Sequence, residues 1–336
     1  MKFFTKKIFT YCAANAIFIS LLFAQDAHFS QYHSFPLLIN PATTGWMDEQ
    51  LRVSTNHRRQ WENITVPFLT SGISLDASFL GGTLNGGILA LHQSAGDANL
   101  QTFTLIATSA VVLPVGLFRH LHFSWGIECG IVQKSLDVSK LVFGNQYDNR
   151  GNFDTNIPSQ ETFRENTRTL PEFGTGVLWY YDATEYGSRY LPFAGISVFH
   201  LTEPNESFLG GKSFLSRRFT FFGGTELLFG KNFFLAPQFL AMKQNAAMEL
   251  NGTILSRYTV LDSNSVMFGI SYRLNDAIVA MFGFQYAMYA ISFSYDMTVS
   301  GLRTATNYSG GMEISFRYVW GKKRISRFPA IPFLRF

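Results

Sequence analysis

The chain has 336 residues, of which 15% are charged, 16% are aromatic and 35 are phenylalanine. Since soluble globular proteins average about 25% charged residues, this composition disfavours an ordinary cytosolic enzyme and excludes a disordered or nucleic-acid-coating chain. Residues 1–24 contain three lysines and no acid, so the other 312 residues hold 24 basic and 23 acidic side chains. The net charge of +4 shrinks to +1 beyond that segment, and no basic excess remains to bind nucleic acid.

Residues 1–24 have the organisation of a secretory signal peptide. A lysine-bearing start is followed by the apolar run Ile8–Ala24 and then by a polar pair. We predict cleavage after Ala24. An N-terminal membrane anchor is the less favoured alternative, because the run is short for a span and no basic stop follows it. Cleavage would leave a single cysteine, Cys129, and hence no internal disulfide.

Residues 25–48 form a second segment that is distinct from the rest of the chain. They are too polar and too often interrupted by proline for a strand that faces lipid. We expect this N-terminal segment to lie in the periplasm or to pack as a plug in or under the interior of the barrel that residues 49–320 form.

The stretch 49–320 is dominated by a period of two, which is typical of β-strands. In the clearest run, aromatic and aliphatic side chains occupy Tyr289, Ile291, Phe293, Tyr295 and Met297. The positions between them carry the small or polar residues Ala290, Ser292, Ser294, Asp296 and Thr298. Each set lies on its own side of a sheet. Alternation alone fits a water-soluble sandwich as well as a membrane protein.

Further features favour the membrane. The runs are about 10–14 residues long, whereas a globular strand averages about 5–6 and a tilted spanning strand needs about 9–11. Aromatic residues cap the apolar faces, and the opposite faces are small and polar. The charges expected in a lumen network are Glu128, Glu226, Arg273, Asp296, Glu313 and Arg317. An acid–base site at Asp296, Glu313 and Arg317 is the less favoured interpretation of these charges. The sequence therefore predicts an all-β, transmembrane antiparallel β-barrel of an outer membrane.

Turn residues divide the barrel region into about fourteen predicted strands, a number that can change by two with the placement of the turns. Their ranges are 50–61, 69–80, 84–94, 99–113, 119–134, 172–182, 191–201, 217–230, 232–243, 249–260, 265–275, 277–286, 288–299 and 310–320. The longest connections, 135–171, 202–216 and 300–309, follow odd-numbered strands. If the mature N-terminus lies in the periplasm, these three connections are extracellular, as outer-membrane barrels prefer.

One stretch of the barrel region also fits a transmembrane helix. Ala277–Tyr295 contains nineteen residues without a formal charge. Small or polar residues at period two, such as Gly283 and Ser292, favour instead a hairpin that turns near Ala287. We therefore predict two strands here.

No combination of residues in the sequence supports catalysis. The Gly-Gly-Lys-Ser motif at 210–213 resembles the end of a phosphate-binding loop but lacks the preceding glycine and a strand–helix context. His120 and His122 would share one strand face and could hold a metal, although histidines near a turn more often face the lumen or the lipid headgroups. We therefore predict no enzyme, no catalytic residue, no cofactor and no metal.

Several short segments follow one another in a specific order. They are Gln25–Tyr32, Pro36-Leu37, Ile39–Ala42, Arg59–Trp61, Phe193–Ser197, His200–Phe208, Arg217–Thr220, Ser294–Asp296, Glu313–Ser315, Gly321–Lys323 and Arg335-Phe336. In this order and spacing they resemble the PorP/SprF family of type IX secretion system membrane proteins. The sequence departs from the family at Pro332–Phe336, where a cysteine-containing end is expected, and in loop 135–171, which matches only loosely.

The resemblance implies a non-enzymatic barrel in the outer membrane of a Gram-negative bacterium, similar in strand count to the FadL-type transporters. It also implies export or surface attachment of partner proteins, including gliding adhesins, and association with periplasmic ring components. We predict that loops 135–171 and 202–216 bind the exported partner. The candidate contact residues are His200, Glu203, Pro204 and Asn205.

The C-terminal tail, residues 321–336, is basic and contains no acid. By strand parity it lies in the periplasm, where Lys322, Lys323, Arg324 and Arg327 could dock an acidic protein surface. Attraction to lipid headgroups is the alternative for these residues. For the whole protein, the alternative function is a passive pore for a small or lipophilic solute.

Overall fold

The computed structural model describes most of the chain. The described ranges are residues 26–47, 49–64, 66–115, 120–147, 153–154, 157–159, 161–181, 188–230, 232–261 and 264–321. The predicted signal peptide and the basic tail residues Lys322, Lys323, Arg324 and Arg327 lie outside the described residues.

Fourteen antiparallel strands in the described part of the chain close into one barrel. They are β1 (Leu51–Gln60), β2 (Phe68–Phe79), β3 (Leu84–Ala95), β4 (Leu100–Pro114), β5 (Leu121–Ser135), β6 (Thr167–Tyr181), β7 (Tyr190–Phe199), β8 (Arg218–Phe229), β9 (Phe233–Gln244), β10 (Ala247–Leu261), β11 (Asn264–Arg273), β12 (Ala277–Tyr286), β13 (Tyr289–Thr298) and β14 (Ser309–Trp320). Each strand pairs with its neighbours in sequence, and β1 closes the barrel by pairing with β14. Closure leaves no sheet edge, which a bilayer requires because lipid cannot satisfy an open ladder. The predicted fourteen-stranded all-β barrel is confirmed.

The strand boundaries lie within two residues of the predicted ones, apart from the start of β6. That strand begins five residues earlier than predicted, at Thr167. Its first residues include Arg168 and Pro171. The sequence does not predict a strand at these positions, because neither residue type is typical of a sheet interior. The β5–β6 connection is therefore 136–166 rather than 135–171.

The stretch that also fitted a helix forms a hairpin. Strand β12 ends at Tyr286 and β13 begins at Tyr289, and Ala287 between them has a left-handed φ of 51°. The helix alternative is therefore wrong, and the predicted hairpin is confirmed. Among the described residues, no helix is long and apolar enough to cross a membrane.

The two faces of the strands differ as their alternation predicts. In β13, Ile291 and Phe293 are exposed on the outside of the barrel, whereas Ser292, Ser294 and Asp296 are buried inside it. A charge on the outer face would cost about 2–4 kcal/mol at the bilayer midplane, while apolar side chains there need no polar partner. The barrel therefore presents an apolar surface outward and keeps most of its strand charges in the lumen.

Residues 26–47 run through the lumen. At one end of the barrel, the Asp26 backbone N–H donates to Gln244 Oε1 at 2.9 Å. At the opposite end, the Gly45 N–H donates to Asp76 Oδ2 at 2.7 Å. The chain then leaves the lumen and enters β1 at Leu51. The end where β1 begins is called here the turn end, and the opposite end the loop end.

The path of this segment places its start at the end of the barrel opposite β1. Asp26, the first described residue, lies at the loop end, because the segment crosses the lumen before β1 begins. The three long connections nevertheless share one end of the barrel, because each of them follows an odd-numbered strand. Connections 136–166, 200–217 and 299–308 all lie at the loop end.

Short local structures shape the N-terminal segment. It contains three single-turn 3-10 helices, Tyr32–Ser34, Pro36–Leu38 and Pro41–Thr43. Asn40 caps the third, because its Oδ1 accepts from the Ala42 N–H at 2.8 Å. The Asn40 amide also donates to the carbonyls of Val177 and Ile196, at 3.0 and 3.1 Å. One asparagine thus caps the start of the third helix and fastens the segment to β6 and β7.

Candidate functional site

Four charged side chains from four strands meet inside the barrel and are called here the lumen network: Arg58, Arg273, Asp296 and Glu313. Arg58 lies 2.7 Å from Asp296 Oδ2 and 3.4 Å from Glu313 Oε2. Arg273 Nη2 lies 2.8 Å from the same Asp296 oxygen. All four side chains are buried. Two guanidinium groups and two carboxyl groups compensate one another, which buried charges require.

The lumen network holds the start of the N-terminal segment. Glu313 accepts from the backbone N–H groups of Ser30 and Gln31, at 2.7 and 2.9 Å. The Ser30 hydroxyl donates to Asp296 Oδ2 at 2.8 Å, and Asn56 Nδ2 donates to Glu313 Oε1 at 2.9 Å. These bonds set the depth at which the segment enters the lumen, because two successive backbone groups share one carboxylate.

Three of the six predicted lumen residues, Arg273, Asp296 and Glu313, come together in this network. The sequence analysis missed Arg58, which contacts both carboxylates. A signal was present, because Arg58 shares its inward-facing parity in β1 with polar residues such as Ser54. Parity marks a residue as facing inward, but it does not show which strand lies across the lumen.

The other three predicted lumen residues lie elsewhere in the interior. Glu226 pairs with Arg257 at 3.3 Å. Glu128 lines a cavity at the loop end. Arg317 is four residues from Glu313 along β14, about 13 Å at the rise of a strand. Three of the six predicted residues therefore meet in the lumen network, and the other three lie at other positions in the interior.

A second cluster, called here the loop-end cluster, consists of Asp26, Glu172, His200 and Arg218. His200 lies between two carboxylates, with Nδ1 2.5 Å from Glu172 Oε2 and Nε2 2.6 Å from Asp26 Oδ2. Arg218 Nη1 donates to Asp26 Oδ2 at 3.0 Å. Burial by itself lowers the pKa of His200, but the two carboxylates outweigh it and raise this pKa to about 9. The imidazole is therefore a cation at neutral pH, and both of its N–H groups donate.

The predicted partner-contact residues differ in their accessibility. His200 faces inward and is only 7% exposed, so its side chain holds the N-terminal segment rather than forming part of the loop surface. Glu203, Pro204 and Asn205 are half-buried in the β7–β8 connection. Glu203 pairs with Arg217 at 3.3 Å on the surface.

Contacts at the loop end join the β5–β6 and β7–β8 connections. The Arg164 backbone N–H donates to the Phe208 carbonyl at 3.0 Å. Lys134 near the end of β5 forms an ion pair with Glu206. The described parts of the β5–β6 and β7–β8 connections, which the sequence predicted to bind a partner, therefore contact each other.

A cavity of about 680 Å³ lies at the loop end between the N-terminal segment and the strands. Its aliphatic lining includes Leu37, Leu38, Leu89, Leu91, Ile106 and Val132. Its polar lining includes Asp26, Glu128, Glu172, His200 and Arg218. The volume lies in the range of ligand pockets, about 300–1,000 Å³. The cavity is therefore large enough for a small molecule, and both apolar and charged side chains line it.

The two motifs weighed for other chemistry lie in ordinary surroundings. The His122 ring stacks on Tyr180 with 4.6 Å between ring centroids, and His120 makes an edge contact with Tyr181. The motif at 210–213 lies in the β7–β8 connection and is not followed by a helix. In the described ranges, no group of three or more His, Cys, Asp or Glu side chains is arranged to hold a metal ion.

A closed barrel with an apolar outer surface, charged lumen residues and long connections at one end defines an outer-membrane β-barrel protein. The chain belongs to the family described as type IX secretion system membrane protein PorP/SprF, whose model matches residues 21–318. It is therefore a type IX secretion membrane protein of the Gram-negative outer membrane. The predicted family and location are confirmed.

Solved structures share the fold at low sequence identity. The toluene transporter TbuX of Ralstonia pickettii is 10% identical with a TM-score of 0.50, over 85% of this chain and 94% of that one. The toluene transporter TodX of Pseudomonas putida is 11% identical with a TM-score of 0.47, over 87% and 94%. No curated protein matches the chain in sequence. The likeness to TbuX concerns the fold alone, and it confirms the predicted FadL-like barrel.

Proposed function

We propose that this protein is a non-enzymatic component of the type IX secretion system that supports the export or surface anchoring of a partner protein. Its family supports the assignment to the secretion system. The observation that carries the proposal is the loop end, where two long connections are joined above a lumen that the N-terminal segment occupies. The joined connections give a protein an ordered surface to bind, whereas the N-terminal segment leaves little room for a solute to pass through the lumen.

Exposed apolar side chains on these connections support a protein-binding surface. Leu209 and Phe214 in the β7–β8 connection are 54% and 57% exposed. Val142 and Tyr147 in the β5–β6 connection are also exposed. Apolar side chains that are left in solvent on ordered loops are a common feature of protein interfaces. We propose that the exported partner covers them.

Paired substitutions on this surface test the proposal. Leu209→Asp combined with Phe214→Asp is expected to weaken partner binding about tenfold or more, because charged groups replace apolar contacts. Surface display of the partner is measured on intact cells, and heat-modifiable gel mobility reports whether the barrel has folded. Leu80→Asp is the matched control, because Leu80 is exposed in the short β2–β3 turn at the turn end. Equal display in both variants would contradict the proposal.

On the periplasmic side, we propose that the basic tail docks an acidic surface of a ring component. Strand β14 ends at Trp320 at the turn end, so the tail begins on the side opposite the long connections. Replacing Lys322, Lys323, Arg324 and Arg327 by Gln is expected to abolish co-purification with ring components. Loss of binding to anionic lipid vesicles with unchanged co-purification would favour the headgroup alternative.

A passive pore is the second candidate function, and the loop-end cavity is the observation that favours it. A pore predicts steady single-channel conductance of the wild-type protein in a planar bilayer. The secretion-linked function predicts conductance near the baseline, because residues 26–47 cross the lumen. The same recording therefore separates the two candidates.

A further inference from the structure

Glu128 is a buried carboxyl group that the contacts described so far leave unused. It faces the lumen from β5, is 4% exposed and lines the loop-end cavity. Within the described residues, neither of its carboxylate oxygens has a hydrogen-bond partner. A buried carboxylate without a partner is costly, and native structures rarely leave both oxygens unused.

The strand opposite Glu128 leaves room for its carboxyl group. Gly174 on β6 is the direct cross-strand partner of Glu128. A Cβ at Gly174 would lie 2.7 Å from Glu128 Oε1, so any larger residue there would require the Glu128 carboxyl group to move. The glycine therefore allows the carboxyl group to keep its position at the cavity wall.

The charges around the cavity leave this carboxyl group uncompensated. The nearby cations His200 and Arg218 are already bound, His200 between Asp26 and Glu172, and Arg218 to Asp26. Three carboxyl groups thus face two cations. Among the other ionisable residues of the cavity lining, Lys134 pairs with Glu206, Asp276 pairs with Arg273, and the His28 imidazole contacts Glu249. Glu128 is therefore the carboxyl group of this lining that has neither an ion-pair partner nor a hydrogen-bond partner among the described residues.

We infer that the loop-end cavity binds an amphipathic organic cation, with a primary ammonium group at Glu128 and an apolar stem against the leucine-rich wall. The ammonium group supplies the donors and the positive charge that Glu128 lacks. Leu89, Leu91 and Ile106 supply the apolar surface for the stem. This site goes beyond the proposed secretion function, which needs no small ligand.

Three probes with the same stem and different head groups test the inference. Hexylammonium, hexanol and hexanoate are titrated calorimetrically into the full mature protein in lipid nanodiscs, with empty nanodiscs as the blank. Hexylammonium is expected to bind about tenfold or more tightly than hexanol, since a charge-assisted hydrogen bond has that effect. Hexanoate is expected to bind most weakly, because its carboxylate adds to the excess of carboxyl groups over cations around the cavity.

Variants assign the effect to Glu128. Glu128→Gln is expected to weaken hexylammonium binding about tenfold and to leave hexanol binding unchanged. Glu226→Gln is the matched control, because Glu226 is a buried lumen glutamate that does not line this cavity. Gly174→Ala is a second variant, which displaces the carboxyl group by the close approach of its methyl group.

Specific results would overturn the inference. One is equal wild-type affinity for hexylammonium and hexanol, or a preference for hexanoate. Another is equal loss of hexylammonium binding in Glu128→Gln and Glu226→Gln. If Glu128→Gln does not fold, the wild-type probe series and Gly174→Ala still decide the matter. Neither result depends on partner display, so failure here is distinguishable from failure of the proposed function.

Discussion

Arg58 and Arg59 are neighbours in β1, yet their guanidinium groups lie in opposite surroundings. Arg58 is buried and contacts Asp296 and Glu313. Arg59 faces outward and pairs with Glu62 at 2.7 Å, and these two side chains are 44% and 53% exposed. The strand alternation alone produces this difference, because successive side chains point to opposite faces.

This pair provides a matched test of the lumen network. Arg58→Met is expected to lower the free energy of unfolding by about 3–5 kcal/mol, because it leaves the buried Glu313 without its guanidinium contact and Asp296 with Arg273 alone. Arg59→Met is expected to cost about 0–1 kcal/mol, as for other exposed ion pairs. Urea unfolding in lipid vesicles, followed by tryptophan fluorescence, measures both. Similar losses in the two variants would show that Arg58 does not compensate buried charge.

The His200 imidazole makes the loop-end cluster sensitive to pH. Burial lowers its pKa, but Asp26 and Glu172 outweigh burial and raise the pKa from 6.5 to about 9. Burial alone would raise the pKa of Asp26, yet His200 and Arg218 hold it below its usual value. A raised histidine pKa contributes stability that is fully present below pH 6.5 and lost as the pH rises through 9.

We therefore predict that the free energy of unfolding falls between pH 6.5 and 9, by up to about 3 kcal/mol, as His200 loses its proton. His200→Gln should remove this dependence, since glutamine does not titrate. His57→Gln is the control, because His57 lies exposed on the outer face of β1. Unfolding titrations across this pH range measure all three proteins. A slope that persists in His200→Gln would rule out this histidine as its source.

Among the elements, the N-terminal segment depends most closely on glycines in the strands around it. A Cβ at Gly126 on β5 would lie 2.3 Å from the Ala42 backbone nitrogen. A Cβ at Gly176 on β6 would lie 2.1 Å from Asn40 Oδ1. These close approaches let the backbone of the segment pack directly against the barrel wall.

Gly126→Leu is therefore expected to displace the segment from the wall. Overpacking of this kind costs about 1–3 kcal/mol, and part of the strain is relieved if the segment moves. Chymotrypsin cleavage near the buried aromatic residues Phe29 and Tyr32, detected by mass spectrometry, should then become faster. Gly252→Leu is the control, because Gly252 faces outward and nothing lies within 4 Å of its Cβ position. Unchanged cleavage in Gly126→Leu would argue against tight seating of the segment.

At the scale of the whole molecule, the barrel and the segment inside it have separable roles. Strand pairing closes the barrel on all sides, whereas residues 26–47 cross its lumen from the loop end to the turn end. Deletion of residues 26–47 should leave a heat-modifiable barrel and produce conductance in a planar bilayer that the wild-type protein lacks. A deletion variant that folds but conducts no better than the wild type would show that the segment does not obstruct the lumen.

The sequence was sufficient to predict the elements because their periodicity is local. The alternation in β13 and β14 identifies both faces, and the strand boundaries follow from turn residues. The sequence placed the start of β6 too late, because Arg168 and Pro171 are not typical of strands. Both residues are accommodated at the loop end of the barrel. The sequence predicted that His200 contacts the exported partner, but its side chain is buried in the lumen.

The amino-acid sequence by itself determined that this is an outer-membrane barrel with about fourteen strands, since a period of two and the length of each run are properties of single strands. The tertiary structure decided which inward-facing charges meet. Depth in the lumen and position around the barrel depend on the register of all strands and on the path of the N-terminal segment. For that reason Arg58 joins Asp296 and Glu313, while Glu128 lines the cavity without a hydrogen-bond partner among the described residues.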